Sequence, residues 1–536
     1  MAKNLGFEVR KEEIGGETQI KIEFTDATLI SIVQNYTDID EIYNEPPIVR
    51  AEILFSRLDQ LKRAQRRGGG NKEVKSLIEF LTTENKAIVD QVNNLLQKGV
   101  ATFITLPYIL TTGAEVITNV GGEQQGGRIV RTEFRSSFMG TFFTITYEYV
   151  TSGGRHLMLS QGQAVIPAFD GVREIAKLPI RPITDEQKVE LAKRGEIFRN
   201  VAVGAHYQSY QGHQGIKSFW DWDLLRADGR IMVDVGSYYQ FDDSERRPDY
   251  YDDDEAQPIH ECSDDMLWLT DAFLRGFSFM TKRWGRFSVA NMSNINFRKE
   301  AYDQLVLEPS KKTLIRSLVQ NASKGFGDII DSKGGGCIFL LHGTPGVGKT
   351  LTAEAIAELL ERPLYSVSVG ELGVTPEQLE KNLRQILDVA QVWNAVILID
   401  EADIFLEKRT EGDILRNAMV GIFLRLLEYH QGVMFLTTNR VRDFDEAFHS
   451  RISVALKYEP LTPEARRKIW TNLLEAAGIK DVSAEHLSVF RLNGRQIKNT
   501  IRLAQALAFE ENVPVTFGHI ERTLEVTLQF ERDLKN

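Results

Sequence analysis

Short alternating hydrophobic runs characterise the first 300 residues or so. The run TQIKIEFTD (18–26) alternates apolar and polar residues, and similar runs separated by glycine pairs lie between residues 101 and 167. Alternation of this kind predicts strands with one buried face, and a group of such strands predicts a small β-barrel or sandwich. Apolar residues at helical spacing predict helices over 47–67, 71–98 and 184–202. We therefore expect an α+β, strand-rich amino-terminal part.

The sequence of this amino-terminal part supports three further structural predictions. The stretches ATFITLPYIL (101–110) and DGRIMVDVGSYYQF (228–241) are predicted to be strands. The acidic stretch 242–266 is typical of a solvated, flexible insertion, with a metal or partner site as the alternative. Packing against the domain that follows is favoured for six aromatic residues, because they lack the interleaved basic residues of a platform for single-stranded nucleic acid. They are Trp268, Phe273, Phe277, Phe279, Trp284 and Phe287.

Uninterrupted apolar runs replace the alternating ones after about residue 300. The runs CIFLLH (337–342), AVILI (395–399) and FLTT (435–438) are typical of strands in a parallel sheet that is covered on both faces. LTAEAIAELLE (351–361) has the composition and spacing of a helix, and so do three stretches after residue 462. We therefore predict a doubly wound, mostly parallel α/β sheet followed by a small helical lid.

The loop between the first apolar run and its helix carries the most informative motif. GTPGVGKT satisfies G-x-x-x-x-G-K-[ST] between a predicted strand and a predicted helix. Glycines let the backbone close around an anion, so that N–H groups and the positive end of the helix point at phosphates. A glycine-rich turn with an incidental lysine is the alternative. The predicted nucleotide-binding residues are Gly343, Thr344, Pro345, Gly346, Val347, Gly348, Lys349, Thr350 and Leu351.

Charged and hydroxyl groups complete this predicted site. Lys349 is suited to contact the β- and γ-phosphates of ATP, and Thr350 to offer its hydroxyl to Mg²⁺. Asp400 and Glu401 follow the second apolar run, at the strand end where open α/β sheets bind ligands. We assign Asp400 to Mg²⁺ and Glu401 to the water that attacks the γ-phosphate, with solvated loop acids as the alternative.

Four motifs together, GTPGVGKT, ILIDEAD (397–403), FLTTN (435–439) and DEAFHSRI (445–452), resemble those of the AAA family of ATPases. The resemblance runs from about residue 305 to the carboxyl terminus. With the segments 169–183 and 267–297 it extends to a large group of filamentous-fungal AAA ATPases with a long N-terminal domain. It implies ATP and Mg²⁺ as cofactors and a hexameric ring as the assembly.

The same resemblance implies roles for four further residues. Asn439 looks like the polar residue that helps to place the attacking water, and Arg451 resembles the arginine finger that reaches the ATP of a neighbouring subunit. Gly494 and Arg495 are similar to the sensor 2 position of the helical lid. The alternatives are a turn for Asn439, a surface arginine for Arg451 and a solvated helix start for Arg495.

One segment departs from the family pattern. Family members that thread substrates carry an aromatic residue in a pore loop after the second core strand, whereas this chain has GELGVTP at 370–376. Leu372 and Val374 are the apolar residues available there for a weak grip. The absence of an aromatic side chain puts processive protein unfolding in doubt.

The length of 536 residues exceeds what one hydrophobic core fills, so several domains are expected. The predicted parts are an N-terminal α+β segment (1–100), a β-rich N-domain (101–241), an acidic flexible insertion (242–266), a connector packing on the motor (267–304), the large AAA α/β ATPase subdomain (305–461) and the helical lid (462–536).

Composition excludes several classes of protein. A net charge of −11 argues against a general nucleic-acid binder, and the two cysteines, Cys262 and Cys337, exclude a disulfide framework or a cysteine-rich zinc site. No apolar run approaches the ~20 residues of a membrane span, and the amino terminus lacks a signal-peptide pattern. An intracellular location, cytoplasmic or nuclear, is the expectation.

These observations predict a Mg²⁺-dependent ATP hydrolase that works as a homo-oligomeric ring and remodels a protein complex. The client is expected to bind the N-terminal domain. The alternative is a nucleotide-gated scaffold in which hydrolysis is slow or dispensable, and the missing pore aromatic favours it. Nucleic-acid remodelling would require a basic pore surface that the sequence does not show.

Overall fold

The structure of the chain is a computed structural model. It describes residues 5–14, 17–37, 39–67, 71–137, 140–218, 221–242, 244, 259–321, 336–409, 413–440 and 446–533. Most of the predicted acidic insertion (242–266) and the glycine run at 68–70 lie outside these residues. Within them, no helix is long and apolar enough to cross a membrane.

The amino-terminal segment is a three-stranded antiparallel sheet packed against helices. The predicted strand at 18–26 is present, whereas residues 48–50 of the predicted helix at 47–67 form a strand. Its elements are β1 (Phe7–Ile14), β2 (Glu17–Phe24), α1 (Ala27–Tyr36), β3 (Ile48–Arg50), α2 (Ala51–Ser56), α3 (Leu58–Arg67) and α4 (Lys72–Gln97). Leu29, Leu54 and Leu77 are fully buried between the two layers. Asn71 caps α4 by accepting hydrogen bonds from the N–H groups of Glu73 and Val74.

A five-stranded antiparallel sheet follows, in the order β10-β5-β6-β7-β8. The elements of this region are β4 (Val100–Ala101), α5 (Leu106–Ile109), β5 (Glu115–Val120), β6 (Glu123–Ser137), β7 (Gly140–Ser152), β8 (Leu157–Pro167), β9 (Arg173–Glu174) and β10 (Ile180–Pro182). The predicted strand at 101–110 is wrong, because Thr105 accepts a hydrogen bond from the N–H of Thr102 and a turn leads into α5. Among the described strands the sheet is open, with β10 and β8 at its edges, so a barrel is not formed.

A seven-stranded sheet, in the order β13-β12-β16-β15-β14-β11-β17, completes the N-terminal half. Its region comprises α6 (Asp185–Val201), β11 (His206–Tyr210), β12 (His213–Lys217), β13 (Trp222–Arg226), β14 (Gly229–Val233), α7 (Val235–Phe241), β15 (Phe273–Ser278), β16 (Arg283–Ser288) and β17 (Met292–Ser293). Because β15 pairs with β14, the structure does not separate the predicted connector (267–304) from the predicted β-rich domain (101–241).

The predicted strand at 228–241 holds for only its first half. Asp234 ends β14 and accepts a hydrogen bond from the N–H of Ser237, so that residues Val235–Phe241 form a helix. An N-cap aspartate thus overrides the apolar alternation of the sequence.

The second half contains a five-stranded parallel sheet in the order β19-β20-β21-β18-β22. Its region comprises α8 (Glu300–Gln304), α9 (Pro309–Asn321), β18 (Cys337–Gly343), α10 (Lys349–Leu360), β19 (Leu364–Val367), α11 (Val369–Leu372), α12 (Pro376–Val392), β20 (Val396–Ile399), α13 (Asp403–Leu406), α14 (Ile414–Glu428), β21 (Val433–Thr438) and β22 (Val454–Tyr458). Strands β20 and β21 are buried at every position, which confirms the prediction from their apolar runs. The predicted α/β fold is therefore confirmed.

Four helices form the carboxyl-terminal lid. They are α15 (Pro463–Ala476), α16 (Ala484–Leu487), α17 (Gly494–Glu510) and α18 (Phe517–Asp533). Trp470, Leu487, Ile497 and Ile520 are fully buried among them and form a core of their own.

Aromatic side chains join the seven-stranded sheet to the parallel sheet. Phe277 stacks on Tyr365 with 5.4 Å between ring centroids, and Trp284 meets Trp393 at 5.6 Å. The indole N–H of Trp393 donates a buried hydrogen bond of 2.8 Å to Asp234. Phe277 and Trp284 of the aromatic segment thus contact residues of the parallel-sheet region.

Candidate nucleotide-binding site

The loop from β18 to α10 has a backbone that only glycine adopts readily. Gly343, Gly346 and Gly348 have φ values of 144°, 76° and 101°. A Cβ atom at Gly343 would lie 2.2 Å from the carbonyl oxygen of Tyr458, whereas one at Gly348 would meet no atom within 4 Å. The loop is therefore packed tightly on its sheet side and open at Gly348.

Lys349 projects its ammonium back into this loop. Nζ donates to the carbonyl oxygens of Gly343 (2.8 Å) and Thr344 (2.9 Å) and to Oδ1 of Asn439 (2.9 Å). The residue is only 7% exposed, and burial lowers the pKa of its ammonium, while the carboxylate of Asp400 acts in the opposite direction. The structure thus brings together Lys349, which was predicted to contact the phosphates, and Asn439, which was predicted to help place the attacking water.

The hydroxyl of Thr350 faces Asp400 at the carboxyl end of β20. Its Oγ1 lies 3.4 Å from both carboxylate oxygens. Hard oxygen ligands of this kind suit Mg²⁺. The predicted metal-binding pair therefore converges in space.

Glu401 follows Asp400 in a left-handed conformation, with φ at 55°. Its N–H donates to Oγ1 of Thr437 at 3.0 Å, and that hydroxyl donates in turn to Oδ1 of Asp400. A non-glycine residue in this conformation costs about 1 kcal/mol or more, so its surroundings must hold it there. Sequence reasoning missed Thr437, although a hydroxyl at the end of an otherwise apolar strand is a signal that could have revealed it.

A second threonine extends the network beyond the predicted residues. Thr438 donates to a carboxylate oxygen of Asp403 and accepts the N–H of Arg440 at 3.0 Å. Arg440 and Arg416 both bind the carboxylate of Glu407. These contacts tie the segment after β21 to the segment after β20 and so support Asn439 between them.

The lid touches the loop through the start of α17. The N–H of Gly494 donates to the carbonyl oxygen of Gly346 at 2.9 Å, and a Cβ at Gly346 would lie 2.5 Å from the side chain of Asn493. Asn493 caps α17 through a reciprocal pair of hydrogen bonds with Gln496. The charge of Arg495 adds to the effect of burial in lowering the pKa of Lys349.

Arg451 is bound within its own chain. Its guanidinium donates to Glu428 (3.0 Å) and to the carbonyl oxygens of Leu424 (3.0 Å) and Ala447 (2.9 Å). These contacts hold it against α14. Its predicted action on a neighbouring subunit stays a prediction, and such action requires the contact with Glu428 to open.

The segment that replaces the aromatic pore loop is short and partly buried. Leu372 is fully buried at the end of α11, so the predicted weak grip falls to Val374, which is 81% exposed. Ser368 and Glu371 form a capping box, and Glu371 also binds Lys282 of the β15–β16 turn at 2.5 Å. This segment is thus held by the amino-terminal half of the chain.

The residues present fit a magnesium nucleotide. The loop is open at Gly348, an ammonium lies beside it, and two oxygen ligands face each other at the neighbouring strand end. All of these groups lie at the carboxyl ends of parallel strands, where α/β sheets bind nucleotides. Lys349 and the loop N–H groups would hold the phosphates, and Thr350 and Asp400 the metal ion.

Comparison with known proteins adds two family matches. The family model described as ATPase family associated with various cellular activities (AAA) matches residues 339–459. A domain of unknown function (DUF7025) matches residues 91–187.

Two curated relatives share part of this sequence. A protein named as a 26S proteasome regulatory subunit homologue of Methanothermobacter marburgensis is 30% identical over 215 residues, or 37% of this chain and 55% of that protein. The ATPase family AAA domain-containing protein FIGL1 of Arabidopsis thaliana is 29% identical over 180 residues, or 30% of this chain and 26% of that protein. The chain spans about half the length of the first curated relatives it matches.

Among solved structures, the crystal structure of the FIGL-1 AAA domain in complex with ADP is similar to this chain. The match has 23% sequence identity and a TM-score of 0.35, and it covers 44% of this chain and 86% of that one.

Proposed function

We propose that this chain, which carries an AAA ATPase domain, is a Mg²⁺-dependent ATP hydrolase that works as a ring and remodels a protein complex. One observation carries the proposal. The ammonium of Lys349, the amide of Asn439 and the Thr350–Asp400 pair meet around an open glycine loop at one edge of a parallel sheet.

Each residue of the site has a distinct task in phosphoryl transfer to water. Lys349 and the N–H groups of the loop stabilise the negative charge that the phosphate oxygens bear in the transition state. Thr350 and Asp400 would hold Mg²⁺, which would neutralise part of the negative charge on the phosphates. Glu401 accepts a proton from the attacking water or orients it, and Asn439 helps to position that water while holding the ammonium of Lys349.

Arg451 is the residue that makes the proposed ring necessary. The resemblance assigns Arg451 to the nucleotide site of a neighbouring subunit, and its guanidinium, which is held against α14, would have to leave Glu428 to reach that site. An arginine finger contributes on the order of 10³ to 10⁵ in rate, so assembly and activity are expected to be linked.

The amino-terminal half is proposed to bind the protein client. It packs on the motor through Trp393 and also through an ion pair of 2.6 Å between Arg230 and Glu358 on α10, the helix that follows the phosphate-binding loop. A movement of α10 is therefore transmitted directly to the seven-stranded sheet. Remodelling is favoured over processive threading because an aromatic pore residue is absent.

A nucleotide-gated scaffold is the second candidate. The observation that favours it is the pairing of Arg451 with Glu428, since a finger that stays in this contact would leave hydrolysis slow. Nucleotide binding alone would then order the assembly.

Phosphate release with Mg²⁺ and ATP tests the proposal. The wild-type chain is expected to hydrolyse ATP, and Glu401→Gln is expected to lose at least about a hundredfold in turnover while it still binds ATP. Lys349→Ala is the matched variant for binding and is expected to lose ATP affinity. Tight ATP binding by a wild type with negligible turnover at every protein concentration would overturn the hydrolase and leave the scaffold.

A further inference from the structure

Thr437 links the two acids of the site in a way that the motifs do not describe. It lies near the end of β21, and its side chain is buried, with 1% of the residue exposed. Its hydroxyl accepts the N–H of Glu401 and donates its proton to Asp400, and its carbonyl oxygen accepts the N–H of Ala402 at 2.9 Å. One residue therefore holds three consecutive residues of the neighbouring strand end.

We propose that Thr437 is a positioning residue for hydrolysis, and this inference rests on the proposed function. A hydroxyl has a single proton, and here that proton goes to the carboxylate of Asp400. The bond fixes the rotation of that carboxylate, so that it faces the hydroxyl of Thr350 rather than solvent. Thr437 thereby orients Asp400, the proposed metal ligand, without binding the metal ion itself.

The same hydroxyl supports the strained backbone of Glu401. The left-handed φ of 55° at Glu401 needs support from its surroundings, and the hydrogen bond from its N–H to Thr437 provides it. If the bond is lost, the N–H is left without that acceptor and the Glu401 carboxylate is free to leave its position. The positions of Asp400 and Glu401 thus both depend on Oγ1 of Thr437.

The neighbouring threonine performs a separate task. Successive side chains of a strand point to opposite faces, and Thr438 accordingly binds Asp403 and the N–H of Arg440. The two hydroxyls do not share a carboxylate, so Thr438 cannot substitute for Thr437.

The variants Thr437→Val and Thr437→Ser separate the hydroxyl from the shape of the side chain. Thr437→Val keeps the volume and removes the hydroxyl, whereas Thr437→Ser keeps the hydroxyl. Thr437→Ala replaces the valine variant if that one does not fold. Thr523→Val is the matched control, because Thr523 is a buried threonine of α18 whose hydroxyl bonds only backbone carbonyls in the described structure.

Two readouts are measured. The first is Mn²⁺ affinity by electron paramagnetic resonance, with a non-hydrolysable ATP analogue bound. The second is the dependence of ATP turnover on Mg²⁺ concentration. Thr437→Val is expected to bind Mn²⁺ about tenfold more weakly and to lose at least about tenfold in kcat, with unchanged affinity for metal-free nucleotide. Thr437→Ser and Thr523→Val are expected to stay within about twofold of the wild type.

Two results would overturn the inference. Wild-type Mn²⁺ affinity in Thr437→Val would show that the hydroxyl does not position the metal ligand. An equal loss in Thr437→Ser and Thr437→Val would show that packing is responsible. If the wild-type chain does not hydrolyse ATP, the proposed function fails while the Mn²⁺ measurement still decides this inference.

Discussion

Lys349 shows how the site is prepared for a polyanion. Its ammonium is buried against two carbonyl oxygens and the Asn439 side chain, and burial lowers its pKa. Bound phosphates would favour the charged form and raise the pKa of the ammonium again. The three acceptors therefore hold the cation in place before the nucleotide arrives, which reduces the reorganisation that binding requires.

Replacing Gly348 separates nucleotide binding from folding. A methyl group there meets no protein atom within 4 Å, so Gly348→Ala is expected to cost only the strain of φ 101°, about 1–3 kcal/mol. The same methyl group fills the open side of the loop, and ATP affinity is expected to fall at least about tenfold. Thermal melting and ATP titration measure the two effects.

Gly343→Ala is the comparison variant, because its Cβ would lie 2.2 Å from the carbonyl oxygen of Tyr458 and push β18 from β22. It is expected to destabilise the chain more than Gly348→Ala does. Full ATP affinity in Gly348→Ala would contradict the assignment of the open side to phosphate.

His430 makes stability depend on pH. Burial lowers the pKa of its imidazole to about 4, helped by the charge of Arg362, and 6% of the residue is exposed. The unfolded chain therefore takes up a proton near pH 6.5 that the folded chain does not take up until about pH 4. The contribution of His430 to the free energy of unfolding is therefore fully present above pH 6.5. It falls by up to about 3 kcal/mol as the pH decreases from 6.5 to about 4.

Urea unfolding of the wild type and of His430→Asn, each at pH 7.5 and pH 5, measures this contribution. The variant is expected to show the smaller loss between the two pH values. An identical pH dependence in both proteins would mean that His430 does not stay neutral in the fold.

At the scale of elements, the contact between α12 and the seven-stranded sheet is expected to contribute strongly to stability. Trp393, at the end of α12, packs among Phe277, Trp284 and Tyr365 and bonds Asp234. Trp393→Ala is expected to lower the free energy of unfolding by about 3–5 kcal/mol. Trp393→Phe retains an aromatic ring and is expected to cost about 1–3 kcal/mol, because Oδ2 of Asp234 loses the indole donor.

Chemical denaturation measures both variants, with Trp222→Ala as the control. Trp222 lies on the edge strand β13, where it is only half-buried. If Trp393→Ala and Trp222→Ala lower the free energy of unfolding equally, Trp393 does not contribute specially to the contact between the amino-terminal half and the parallel-sheet region.

Helices and strands could be predicted from the sequence where the local order of apolar, polar and glycine residues determines them. The runs of β18, β20 and β21 are apolar because a parallel sheet between helices buries both faces, and the glycine motif between β18 and α10 is local as well. The helix after Asp234 was missed because one N-cap bond outweighs the alternation of seven residues. The pairing of β14 with β15 and the role of Thr437 depend on contacts between distant segments, which spacing along the chain does not encode.

At the scale of the whole molecule, three groups of contacts lead from the site to the rest of the chain. The lid binds the loop at Gly346, the seven-stranded sheet binds α10 at Glu358, and Arg451 rests against α14. A change at the nucleotide thus reaches the lid and the N-terminal half through direct contacts. In the proposed ring, Arg451 is the site residue assigned to reach a neighbouring copy.

The most direct test of the account is ATP hydrolysis per subunit, measured against protein concentration and in mixtures of Glu401→Gln with Arg451→Ala. A ring with a finger in trans predicts a rate that rises with concentration and collapses in each variant alone. An equimolar mixture is predicted to recover about a quarter of the wild-type rate, because that share of sites pairs an intact Glu401 with a neighbour's intact Arg451. A rate per subunit that is independent of concentration, with no recovery in the mixture, would contradict the account.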